Sequence, residues 1–187
     1  MARRTLTIIT AALAFVLAGC APSGGLLIDG GSPDHGQSAV CFGVEDLGQE
    51  FIFGVSLVNE GDTDLTITDV SLLQQNTVLV SEFALAESGT DGSGWGNAIA
   101  NDIPSKLLDS WKSRTPATGT TISAGERAWL LIVARTAGTL DQSTGIRGVR
   151  VEYDGAPWPR STENDNYYGF VPMNGNCVAD EKVAVSD

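Results

Sequence analysis

Phe51, Phe53, Val55 and Leu57 share one parity, and the alternation of side chains along an extended strand puts all four on one face. Ile52 and Val58 fall on the other face, beside Gly54 and Ser56. Asn59-Glu60-Gly61-Asp62 then favours a turn, because glycine accepts positive φ and Asn or Asp can bond its own backbone. Leu65 and Ile67 resume the alternation among Asp64, Thr66 and Thr68, so the pattern over residues 51–73 predicts a β-hairpin. Val70 and Leu72 lie on the opposite parity from Leu65 and Ile67. That change predicts a bulge or bend near Asp69, a device by which a strand turns a corner of a sandwich.

Runs of the same kind predict strands at Ser38–Val44, Phe51–Asn59, Asp64–Leu73, Val78–Ala86, Ala128–Thr136, Arg147–Tyr153 and Tyr167–Pro172, with turn chemistry between most of them. About seven short strands with few helices predict an all-β, antiparallel sandwich. Trp129 to Val133 is apolar on both parities, as expected of a central strand covered on both faces. Val149, Val151 and Tyr153 instead alternate with Arg150, Glu152 and Asp154, which marks one buried and one wet face. Between Ser88 and Ala124 the pattern fails. Gly89, Gly92, Gly94 and Gly96 around Trp95 read as an irregular loop, while Ile103, Leu107, Leu108 and Trp111 recur at helical spacing. With Asp102 as N-cap and Pro104 in the first turn, they predict a short helix. An insertion of this length in a compact sandwich is a functional or packing elaboration more often than an idle connection.

The segment Val58-Asn59-Glu60-Gly61-Asp62-Thr63-Asp64-Leu65-Thr66-Ile67, with Ile122-Ser123-Ala124-Gly125-Glu126 before Leu130 and Ile132, resembles bacterial immunoglobulin-like domains of cell-envelope proteins. In those domains an Asn-x-Gly turn follows one core strand and a Gly-Glu turn leads into another. The resemblance implies an immunoglobulin-like β-sandwich and says little of function, because that fold hosts many activities.

The N-terminus places the domain. Arg3 and Arg4 precede an apolar stretch from Leu6 to Leu17 and then Ala18-Gly19-Cys20, the order of an export signal. That stretch is short of the roughly 20 residues a spanning helix needs. Leu17-Ala18-Gly19-Cys20 resembles the lipobox of bacterial lipoproteins, which implies removal of residues 1–19 and lipid on Cys20 at the extracytoplasmic face of the cell membrane. Two or three acyl chains hold a protein firmly, whereas one binds only marginally. Residues 20–36 are rich in Gly, Pro and Ser and read as a tether, interrupted by Leu26-Leu27-Ile28, which either docks on the domain or forms a short edge strand. Residues 37–187 are then one sandwich domain, with length enough for a sizeable core.

Twenty-three acidic side chains face 11 Lys and Arg, for a formal charge of −12 that loss of Arg3 and Arg4 deepens. This balance argues against nucleic acid, since phosphate binding rests on clustered Lys and Arg. It also leaves membrane attachment to the lipid alone. With Cys20 assigned to lipid, Cys41 and Cys177 remain in an exported chain, and a disulfide between them is the economical reading. Two free thiols or a labile redox pair are the alternatives. A bond closing so long a loop stabilises by roughly 5 kcal/mol in the chain-entropy account. It would also set the first and last strands side by side.

Catalytic chemistry is sparse. His35 is the only histidine and sits in the tether segment, whereas a Ser-His-Asp machine needs its imidazole held against a nucleophile. No Gly-x-Ser-x-Gly, Ser-x-x-Lys or nucleotide fingerprint is present. One histidine, Met173 and two paired cysteines offer little to zinc or copper, and no cofactor is expected. Glu60, Asp62 and Asp64, and a second oxygen-rich stretch at Glu163, Asn164, Asp165 and Asn166, are weak calcium candidates without EF-hand spacing. Acid pairs of the glycosidase kind are uninformative among so many carboxylates. Trp95, Trp158, Tyr167 and Tyr168 lie where rings on loops contact sugars or proteins, or else plug the open end of the sandwich.

Together these features lead to the expectation of a lipid-anchored, non-catalytic binding or scaffold protein of the envelope with a protein partner. A carbohydrate or small-solute binding lipoprotein and a carboxylate-dependent hydrolase are the rival readings.

Overall fold

The computed structural model describes residues 25–28, 38–45, 48–138, 140, 143–155 and 160–177. Eleven strands form two facing sheets. In chain order they are β1 (Leu26–Ile28), β2 (Ala39–Val44), β3 (Phe51–Asn59), β4 (Leu65–Asn76), β5 (Val78–Ala86), β6 (Asn97–Ile99), β7 (Thr115–Pro116), β8 (Thr121–Ile122), β9 (Arg127–Thr136), β10 (Thr144–Asp154) and β11 (Arg160–Pro172). A 3-10 turn over Ser105–Leu107 leads into α1 (Leu108–Ser113). The first sheet runs β1-β3-β9-β5-β7, with β6 beside β1 along the same edge of β3, and the second runs β2-β11-β10-β4-β8. Every pairing is antiparallel except β2 with β11.

Strands β3, β4, β5, β9, β10 and β11 occupy the places of the six central and later strands of an immunoglobulin sandwich, and the first strand is divided between the sheets as β1 and β2. The fold is therefore an immunoglobulin-like β-sandwich with one short helix in its insertion. The expected strand positions hold, and two of them, Phe51–Asn59 and Val78–Ala86, match to the residue.

The expected β-hairpin over 51–73 does not form. Strand β3 pairs with β1, β6 and β9, while β4 pairs with β10 and β8, so the turn at Asn59–Asp64 carries the chain from one sheet to the other. Alternation shows which face of each strand is apolar and is silent on its partner; here both apolar faces meet across the core. The parity change in β4 is real, since Thr68 has no opposite number between the pairs Ile67–Tyr153 and Asp69–Glu152. The strand nevertheless stays in its sheet beyond this bulge. The corner comes at Thr77, at φ 49°, where a single residue separates β4 from β5 in the opposite sheet. Ala137 N–H donates to the Thr77 carbonyl at 2.9 Å, and the Thr144 hydroxyl donates to that of Asn76.

Phe51, Phe53, Val55 and Leu57 of β3 enter the inter-sheet core with Leu130 and Ile132 of β9 and Ile146, Val149 and Val151 of β10. Phe42, Phe51, Phe53, Tyr168 and Phe170 pack there as a tilted aromatic group, with neighbouring ring centroids 4.5 to 5.6 Å apart. On the far side of the first sheet a second cluster gathers Ile52, Leu131 and Val133 under Trp95, Ala98 and Leu107 of the insertion. Strand β9 is thus covered on both faces, as its apolar run predicts.

Asp102 does not cap the helix; it bridges to Ile99, and the 3-10 turn begins after Pro104 without a side-chain cap. The insertion is held by polar ties instead. Trp95 Nε1 donates to the Glu87 carbonyl (3.1 Å) and the Ser110 hydroxyl (3.0 Å). Arg114 stacks 3.6 Å from the Trp111 ring centroid and forms a bidentate pair with Glu82 of β5.

Cys41 and Cys177 are bonded, with Cα atoms 5.6 Å apart across a sequence separation of 136. The bond clasps β2 to the chain just beyond β11, which sets the first strand of the second sheet beside the last.

Close packing accounts for two glycines. A Cβ at Gly54 would lie 2.6 Å from the Trp95 Cβ, and one at Gly94 would overlap the Trp129 ring. Gly94→Ala is expected to lower stability by about 1–3 kcal/mol through overpacking, measured by denaturant unfolding. A neutral result would show that the loop does not press on Trp129.

Candidate functional site

The end of the sandwich at which β1 begins is built from β1 and the turns at Asn59–Asp64 and Ile122–Glu126. Leu26 pairs with Asn59 and Ile28 with Leu57, so β1 completes the edge of β3 that β6 covers farther along. The triplet within the expected tether is therefore an edge strand, and the folded domain starts by residue 26. Leu26 N–H donates to the Tyr153 hydroxyl of the opposite sheet (3.2 Å), and Glu60 N–H donates to the Gly25 carbonyl (3.2 Å). A Cβ at Gly25 would stand 2.6 Å from that hydroxyl, which favours glycine there.

Asn59 organises the turns at this end. It is fully buried, and its Nδ2 donates to the carbonyls of Thr63 (2.9 Å), Ile122 (3.0 Å) and Ser123 (3.1 Å), while its Oδ1 accepts from Gly61 N–H (2.9 Å). Asp64 accepts from Ala124 N–H at 3.0 Å. The Asn-x-Gly and Gly-Glu turns quoted from the sequence thus meet through one amide side chain. Glu60 and Asp62 are solvent-exposed, and Asp64 is engaged by the neighbouring turn. The weak calcium candidates Glu60, Asp62 and Asp64 therefore read as turn residues. Among the described residues no group of three His, Cys, Asp or Glu side chains is placed to hold a metal ion.

The other oxygen-rich stretch is not a loop. Glu163 to Asn166 lies inside β11, where Glu163 pairs with Arg150 (2.6 Å) and Asp165 with Arg147 (2.9 Å) on the wet face. Asn164 and Asn166 point inward. Asn164 accepts from Val149 N–H (3.1 Å) and donates to the Tyr168 hydroxyl (2.9 Å), satisfying the irregular pairing around Gly148.

The aromatic candidates are also internal. Trp95 and Tyr167 are 2% exposed and Tyr168 4%, so burial withdraws all three from any ligand at the surface. Trp95 covers the outer face of the first sheet, away from the sandwich end. Tyr167 shares a hydrogen bond with the Ser143 hydroxyl (3.1 Å), and Tyr168 joins the inter-sheet core. Trp158, His35 and Cys20 lie outside the described residues.

The surface features that the sequence reading did not single out include two on or beside the first sheet. One is a groove of about 470 Å³ where the sheets part between the open edges of β4 and β5, lined by Leu72, Leu73, Val78, Leu79 and Phe83. Among the described residues neither edge pairs with a further strand there, because β7 pairs only with Ala84 and Leu85 and β8 only with Leu65 and Thr66. The other is a shallow hollow of about 240 Å³ on the outer face of the first sheet, formed by Leu27, Ser56, Val58, Arg127 and Trp129. Registers put Leu27, Val58 and Arg127 in one row across β1, β3 and β9, with Ser56 and Trp129 in the next.

No protein-family profile and no curated protein matches the chain. Among solved structures it is similar to the VesB protease of Vibrio cholerae, at 12% identity and TM-score 0.40, over 78% of this chain and 31% of that one. It is also similar to a PapD-like domain of human CEP192, at 13% identity and TM-score 0.43, over 92% of this chain and 97% of that domain. A family 123 glycoside hydrolase from Clostridium perfringens is 12% identical at TM-score 0.33, over 72% of this chain and 23% of the enzyme. The chain spans less than a third of either enzyme's length. At these TM-scores none of the three bears on function.

Asn59→Ala would leave the carbonyls of buried Ile122, half-buried Ser123 and exposed Thr63 without their shared donor. A loss of about 2–4 kcal/mol is expected in equilibrium unfolding, more than a surface asparagine costs. A change under about 0.5 kcal/mol would show that the turns hold without it.

Proposed function

We propose that this protein is a lipid-anchored, extracytoplasmic module of the cell envelope that works by binding or scaffolding without catalysis of its own. The observation that carries the reading is the distance between anchor and fold. Strand β1 begins at Leu26 and is hydrogen-bonded into both sheets, through β3 and through Tyr153, while the lipobox cysteine stands six residues earlier at Cys20. Six residues cannot span more than about 20 Å in any conformation. A lipid on Cys20 would therefore hold the sandwich against the membrane surface, with no long arm between them. Among the described residues no helix is long and apolar enough to cross a membrane, which leaves attachment in this reading to the lipid.

The functional surface in this reading is a contact surface. The groove between β4 and β5 presents two unpaired strand edges and exposed Leu73 and Leu79, features suited to a partner protein that adds extended chain to a sheet edge. The solute-binding alternative rested on rings at Trp95, Trp158, Tyr167 and Tyr168, of which Trp158 lies outside the described residues and the other three are packed inside. The hydrolase alternative names no particular carboxylates; Glu163 and Asp165 are paired with arginines on an open sheet face. The acidic balance supports an absence of nucleic-acid partners.

Cys20→Ser is expected to move the protein from the membrane pellet to the soluble fraction and to remove the lipid mass from its N-terminal peptide. Retention in the membrane without that lipid would overturn the anchor.

A further inference from the structure

Among the described residues, the insertion covers only half the length of the first sheet's outer face. The rows Ile52–Val133 and Gly54–Leu131 lie beneath the insertion, with Trp95 packed on Gly54. Of the next two rows, Ser56–Trp129 borders the insertion, with Trp129 packed against its cluster, and Leu27–Val58–Arg127 lies outside it. Leu27 is 45% exposed there, and Val58 and Trp129 are half-buried. Gly94 presses on the Trp129 ring, and Ser88 accepts its Nε1–H at 3.3 Å, so the indole is fixed at the border between covered and bare sheet.

The uncovered half is the half at which β1 begins, six residues after Cys20 in the sequence. Leu27 is the second residue of β1, so its patch lies only seven residues along the chain from the lipidated position. Its chemistry is that of an interfacial surface. Leu27 and Val58 supply apolar area, Trp129 an amphipathic ring, and Arg127 a guanidinium of the kind that pairs with phosphate. Weak contacts are enough here, because a short link converts docking into an intramolecular step at high effective concentration.

We propose that this patch, made by Leu27, Val58, Trp129 and Arg127, rests on the lipid bilayer that holds the anchor. The body then lies on the outer face of its first sheet. The acidic turn with Glu60, Asp62 and Asp64 sits at the side, and the β4–β5 edge groove is left open to the aqueous space. The inference rests on the lipid-anchor reading and adds an orientation to it. Because the body is acidic overall, the contact favours zwitterionic over anionic lipid, and salt relieves the difference.

The test uses the membrane-extracted protein with its native lipid, reconstituted into phosphatidylcholine vesicles that carry doxyl-labelled acyl chains. Tryptophan emission is expected to be quenched, the quenched component to vanish in Trp129→Phe, and the quenching to fall several-fold in Leu27→Glu. Leu27 is surface-exposed, so Leu27→Glu leaves the core intact, and unchanged thermal unfolding verifies this. Emission indifferent to the label, with mass spectrometry showing lipid on Cys20, overturns the proposal and leaves the anchor standing. Absence of lipid on Cys20 overturns the anchor reading instead. Residues 20–187, coupled through Cys20 to a maleimide lipid, then test the patch separately by the same quenching. A copurifying protein that shields Leu27 and Trp129 on vesicles would assign the face to a protein partner and overturn the lipid contact.

Discussion

The structure depends on keeping water off both faces of one strand. In β9 the side chains of Leu130 and Ile132 point into the inter-sheet core while Leu131 and Val133 point away from it, and all four are buried. Each such side chain is worth about 1.5–3 kcal/mol when removed from water, so the outer face of the first sheet needs a cover as much as the inner face needs a partner sheet. The insertion between β5 and β7 supplies it. Trp95 and Leu107 lie over the apolar row, α1 backs them through Trp111, and Arg114 ties the end of the segment to Glu82. Glycines at 54 and 94 let the two layers approach closely enough to exclude water.

That cover stops short, and where it stops connects the fold to the proposed role. The turns around Asn59, the start of β1 and the uncovered patch share one end of the sandwich, and β1 begins six residues after Cys20. A chain with 23 acidic and 11 basic side chains gains nothing from electrostatic attraction to an anionic leaflet. Apolar contact beside a covalent anchor is a route to orientation open to such a body. An orientation that lays the first sheet toward lipid turns the second sheet and the β4–β5 groove toward the aqueous space, where an envelope partner can reach them.

Much of this architecture is legible in residue order. The two-sided apolar run of β9, the parity change at Thr68–Asp69 and the wet face of β10 all follow from period-two patterning, because burial acts on each side chain locally. Pairing is not local. The 51–73 segment reads as a hairpin because its turn chemistry is good, yet that turn connects opposite sheets and is held by Asn59 bonding to the distant Ile122 and Ser123. The polar run from Ser161 to Asn166 hides half of β11, since its buried members are asparagines satisfied by Val149 and Tyr168 and its exposed acids Glu163 and Asp165 are ion-paired. Asp102 has the type of a cap, but a backbone bridge to Ile99 takes its place in the turn. The rings at Trp95, Tyr167 and Tyr168 sit in glycine- and asparagine-rich sequence that looks like exposed loop. Their burial follows from layers the local pattern does not contain. Leu27 carried a signal, one apolar triplet in a Gly- and Pro-rich segment, but its partner strand was not visible from it.

The most direct check on the covered sheet is hydroxyl-radical footprinting of the full chain, read residue by residue by mass spectrometry, in solution and on its membrane. The account expects Trp95, Leu131 and Val133 to react slowly in both settings, and Leu27 and Trp129 to react readily in solution and slowly on the bilayer. Rapid labelling of Trp95 and Leu131 in either setting would contradict it, because the insertion would then not be the cover that lets β9 bury both its faces.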